Sequence, residues 1–134
     1  MANPFLSEIR IVPFNFAPAG WSFANGQLLP ISQNTALFSI LGVTYGGNGT
    51  SNFALPNIQC RFPMHAGQGA GLSSRNLGQY GGVEYVPQQT TPIPGSPQSP
   101  VTAAVGYVPQ AQTVSPFLIL NFVLALQGVF PSRN

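Results

Sequence analysis

Any chemistry in this chain has to come from very few side chains. The one histidine is His65, the carboxylates are Glu8 and Glu84, and the one thiol is Cys60. A nucleophile needs a base within hydrogen-bonding reach, so the inventory permits one arrangement: a serine activated by His65 and oriented by Glu84. No nucleophile elbow or other local signature supports it. The glycine-rich runs, Gly46-Gly47-Asn48-Gly49 and Gly67-Gln68-Gly69-Ala70-Gly71, lack the Lys-Ser/Thr ending of a phosphate loop. They also lack the strand-turn-helix setting of a dinucleotide fold, so their glycines read as turn chemistry. The second run is either a flexible loop or a close backbone contact between subunits. His65 tripled by symmetry could make a three-histidine metal site, but a histidine satisfied beside Pro63 and Met64 is the plainer reading. Cys60 cannot form an internal disulfide; it is expected as a small buried hydrophobe, with a bridge between subunits as the alternative. The reading is therefore of no catalytic residue, no cofactor and no metal.

The elements that would position these residues are short. Dense punctuation by 15 Gly and 14 Pro divides the chain into brief extended pieces. Residues 8–14 read as a first strand, with Ile9 and Ile11 on one face and Glu8, Arg10 and Val12 on the other. Glu8 and Arg10 can pair there, at little gain if solvated. A second strand over 21–24 leads into the turn dipeptide Asn25-Gly26. Ser32 is expected to cap a helix over 33–41 that Gly42 ends, with Ala36, Leu37, Ile40 and Leu41 as the buried stripe. The 45–49 loop requires positive φ, residues 53–56 form an apolar clasp, and 59–64 read as a further short strand. From residue 87 to 116 the composition turns to Pro, Gln, Thr, Ser and Val, which predicts an extended arm. At the C-terminus Leu118, Leu120, Phe122, Leu124, Leu126 and Phe130 share one face at period two, with an apolar opposite face as well. Such a strand needs cover on both sides, and a partner chain is the expected source of the second.

Composition narrows the function classes. At 134 residues the chain suits a single domain, divided as a core over 1–86, the arm over 87–116 and a core strand over 117–134. Charged residues make up 4%, against about 25% in an ordinary soluble domain. The net charge of +2 is scattered over four arginines, which argues against nucleic acid as a partner. With 44% hydrophobic residues and so little charge, the chain lacks the self-repulsion that keeps monomers apart. The N-terminus carries no ordinary secretory signal. Its most apolar stretch, 117–126, is about half the length of a membrane helix, so no membrane insertion is expected.

The order of motifs carries more. The run G-W-S-F-A-N-G-Q-L-L-P-I-S-Q-N-T-A-L-F-S-I-L-G-V-T-Y-G-G-N-G, followed by F-A-L-P-N-I-Q-C-R-F-P-M-H-A-G-Q-G-A-G, resembles the phage tail-collar domain of tail-fibre tips and microcystin-dependent proteins. The opening F-L-S-E-I-R-I-V-P-F-N-F-A-P-A-G-W and the closing P-F-L-I-L-N-F-V-L-A-L-Q-G-V-F-P-S-R-N look like the two ends of that family. The resemblance implies a structural and adhesive role and a compact α+β, mostly β domain of short strands, one short helix and long ordered loops. Relatives carry a His-x-His motif in the middle region, whose histidines meet a metal on the threefold axis of trimeric fibre tips. The matching stretch here, 84–96, has no histidine, so that site is expected to be absent.

These readings converge on a non-enzymatic structural protein that associates with itself through strand pairing and apolar contacts. The expected setting is an extracellular filament or tail-fibre-like appendage; the alternatives are a tail-tip trimer and a carbohydrate-binding adhesin contacting a cell-surface glycan or receptor. Assembly residues are expected at Phe5, Ile9, Ile11, Leu118, Leu120, Phe122, Leu124, Leu126 and Phe130, with strand donation from 2–16 or 117–130. Glycan contact would fall to Tyr45, Tyr80, Tyr85 and Tyr107, while burial better explains Trp21. With the collar motif already under way near Met1, no shaft is expected.

Overall fold

A computed structural model describes residues 3–87, 110–112 and 114–133. They fall into two units, residues 1–79 with 119–134, and Tyr80–Leu118. In the first, strand β7 (Asn121–Ala125) lies between β1 (Ile9–Val12) and β2 (Trp21–Phe23), antiparallel to both. The register sets Arg10, Val123 and Phe23 in one row and Ile9, Leu124 and Ser22 in the next.

Strand parity then explains why both faces of β7 are apolar. Val123 and Ala125 face a cluster with Val12 and Trp21, flanked by Phe14, Ala17 and Phe23. Leu124 faces the larger cluster of Leu6, Leu37, Leu41, Phe53 and Leu55. The second cover expected from a partner chain thus comes from the chain itself over β7. The long C-terminal strand is also shorter than its pattern suggests, because β1 stops at Val12. The ladder ends at the Val12–Asn121 pair, where Asn121 Nδ2 donates to the Phe14 carbonyl at 2.8 Å. Residues 117–120 are therefore outside any strand and exposed.

The larger cluster is closed by a small second sheet and the helix. Strand β3 (Leu28–Pro30) pairs antiparallel with β4 (Asn52–Ala54), and a 3₁₀ turn (Ile31–Gln33) leads from β3 into α1 (Thr35–Leu41). Ser32 does not cap α1. It lies inside the 3₁₀ turn, which Asn34 N–H closes onto the Ile31 carbonyl, so Asn34 becomes the N-cap residue and the helix starts two residues later than the pattern predicts. Gly42 ends α1 at φ 54 with its N–H on the Phe38 carbonyl, as expected. The buried stripe is Leu37 and Leu41, flanked by half-buried Phe38 and Ile40; Ala36 is exposed.

Beyond β4, residues 59–64 form no strand. Asn57 Oδ1 accepts the Gln59 N–H at 3.1 Å and Cys60 is left-handed at φ 55, so the chain turns instead of extending. Cys60 is exposed there, against its expected burial. The fold class is as the sequence reads: mostly β, with one short helix and a 3₁₀ turn. In the second unit, β5 (Tyr85–Pro87) pairs antiparallel with β6 (Gln110–Gln112). Most of the Pro-rich arm over 87–116, Tyr107 included, lies outside the described residues.

Candidate assembly surface

Two parts of the first unit present apolar side chains to solvent on a fixed backbone. One is the open edge of β1. Ser7 N–H donates to the Ala125 carbonyl at 3.0 Å while Ala125 N–H donates to the Glu8 carbonyl at 2.9 Å, so two residues oppose one in a β-bulge, with Ser7 at φ 72. Glu8 holds the bulge. Its Oε2 accepts the Phe5 N–H at 2.9 Å and its Oε1 accepts Arg10 Nε–H at 2.6 Å. The Arg10 hydrogen bond, more than the Phe5 N–H, holds the Glu8 carboxyl below its usual range. The Arg10 guanidinium lies 5.3 Å from the Trp21 ring, which fixes this pair over the Val123 face. Ile9 and Ile11 point to the opposite face and are exposed. No second strand covers this edge of β1 among the described residues, and it carries neither Lys nor Pro within the strand to discourage pairing.

The other is the loop over 62–77. Gly67 and Arg75 exchange backbone hydrogen bonds at 2.8 and 2.9 Å, Leu72 N–H donates to the Gly69 carbonyl, and Gln68 Nε2 donates to the Leu72 carbonyl. Asn76 N–H and Gln79 Oε1 bond at 3.0 Å. Gly78 sits so close to Thr44 that a Cβ would lie 2.6 Å from its carbonyl oxygen, which docks the loop on the segment after α1. From this frame Phe62, Met64, Leu72 and Leu77 project into solvent, between 67% and 74% exposed. Sequence reasoning did not single these four out. They occur one at a time among glycines and polar residues, so no periodicity of 2 or 3.6 assigns them a face.

The residues expected to assemble are split by the fold. Phe5, Ile9, Ile11, Leu118, Leu120 and Phe130 are exposed, and Leu118 at 82% is the most so. Phe122 and Leu126 are half-buried, and Leu124 is fully buried in the larger cluster. Leu124 is thus core within its own chain. The two segments expected as donors, 2–16 and 117–130, are paired with each other as β1 and β7. Of the glycan candidates, Tyr45 packs half-buried against the core, and Tyr80 and Tyr85 are exposed. Trp21 is buried.

His65 is exposed, with Nδ1 2.6 Å from the Ala66 carbonyl, which fits the tautomer that donates from Nδ1. His65 and Glu84 belong to different units. Among the described residues no group of three His, Cys, Asp or Glu side chains could hold a metal, and no helix is long and apolar enough to cross a membrane.

Residues 7–63 match the family model of the phage tail collar domain. The match takes in β1 through β4 and α1; β7 and the loop after Pro63 lie outside it. No curated protein matches the chain. The family is typically structural, with a role tied to phage tails and fibres.

Proposed function

Given that residues 7–63 match the family model of the phage tail collar domain, we propose that this protein is a non-catalytic structural subunit that assembles with copies of itself into a tail-fibre-like appendage or filament. The observation that carries this reading is the 62–77 loop, held by its own hydrogen bonds while Phe62, Met64, Leu72 and Leu77 stand in solvent. A loop fixed in advance loses little entropy on docking.

Magnitudes favour a second copy as the occupant. Covering four such side chains is worth about 4–8 kcal/mol, scaled from the usual gain for fully burying a large apolar group. Association costs roughly 4–15 kcal/mol, so docking on a polar surface would be marginal. A contact to which both copies bring this loop doubles the gain to about 8–16 kcal/mol. The chain's 4% charged residues leave little repulsion to oppose it.

Electron microscopy of the purified full-length chain over a dilution series tests the proposal. Regular fibres or uniform closed particles that persist on dilution are the expected result. Isolated particles of single-chain size at every concentration would overturn it.

A further inference from the structure

Resting on that reading, we infer that assembly is open-ended, with residues 117–120 of one copy adding as a strand to the free edge of β1 in the next. Both halves of the contact are left over by the same local chemistry. The β1–β7 ladder ends at the Asn121–Phe14 bond, so Phe117, Leu118, Ile119 and Leu120 pair with no strand of their own chain among the described residues. They are four exposed apolar residues with no charge, opposite a β1 edge also four residues long. Leu120 leads directly into Asn121 of β7, so this run is tethered to the rigid sheet at one end.

The backbone of β1 is set to receive a strand. Ile11 stands opposite Phe122, whose carbonyl accepts the Ala24 N–H from the β2 side. By the alternation of an antiparallel ladder, Ile11 directs its own N–H away from β7, toward the open edge. Ile9, two residues earlier, does the same, and both side chains lie exposed on one face to pack against alternate residues of the added strand. The charges nearby do not interfere, because Arg10 is paired with Glu8 and turned to the Trp21 face. A β1 edge joined to a 117–120 run is a contact between two different surfaces, so each added copy presents a fresh acceptor.

Ile11→Pro tests this directly, since it removes an N–H that the chain's own sheet does not use. Leu118→Lys with Ile119→Lys, at exposed positions outside any strand, provides a second variant that leaves the core intact. Both are imaged by electron microscopy beside the native chain, with circular dichroism to confirm folding. The expected result is native filaments and none from either folded variant, with short closed oligomers remaining through the 62–77 loop. Filaments of unchanged width from either variant would overturn the strand-addition inference and leave self-assembly standing. A native chain that forms closed particles but no filaments would overturn it as well. Absence of any native assembly would remove the reading beneath it.

Discussion

Gly47→Ala is expected to destabilise the chain by about 3–5 kcal/mol, enough to unfold a domain of ordinary stability near physiological temperature. Gly47 has φ +92, and a Cβ built on it would lie 2.4 Å from the Phe53 Cα and 2.9 Å from the Asn52 carbonyl oxygen. Phe53 cannot retreat, because its side chain is fully buried among Leu37, Leu41 and Leu55. The Asn48 side chain also clamps the loop: its Oδ1 accepts the N–H groups of Thr50, Ser51 and Asn52. Gly42→Ala provides the control. Its φ is +54 but nothing lies within 4 Å of the added Cβ, so it pays only the left-handed backbone cost, about 1–2 kcal/mol. Urea unfolding of the two variants should separate them by that margin; equal midpoints would show that the close approach to Phe53 is relaxed in solution.

Leu124→Ala is expected to cost about 2–5 kcal/mol, whereas Leu118→Ala should change stability by no more than about 0.5 kcal/mol. The two residues belong to one apolar face by sequence pattern, and the fold separates them. Leu124 lies between β1 and β2 and touches the cluster that holds α1 and β4 in place. Leu118 precedes the strand and is exposed. Thermal unfolding at a concentration too low for assembly reads the difference. A large loss from Leu118→Ala under those conditions would place it in the core and remove it from the assembly surface.

This split shows what the sequence could and could not disclose. Alternation over 118–126 announces a strand with two apolar faces, but not where the strand stops. That boundary is marked by the bond between Asn121 and Phe14, more than a hundred residues apart in the chain. Local signals read correctly where the cause is local. Gly42 ends the helix, and Glu8 meets Arg10 two residues on. Ser32 misleads because a 3₁₀ turn, itself permitted by Pro30, intervenes before the helix. Cys60 misleads because an Asn57 side chain turns the backbone outward at that point. The exposed residues of the 62–77 loop carry no sequence periodicity at all. Their significance arises only when Gly78 fits against Thr44 and the hairpin bonds of Gly67 and Arg75 fix the loop away from the core.

Sedimentation velocity of the full-length chain, beside a Met64→Glu and Leu72→Glu double variant, tests the central claim most directly. Both substitutions fall on exposed side chains of the loop, so the variant should fold as the native chain does. Self-assembly through the loop predicts native species that grow with concentration and a variant whose assembly is shifted to clearly higher concentrations. A native chain that remains a monomer across the same range, or a variant that assembles as readily as the native protein, would contradict it.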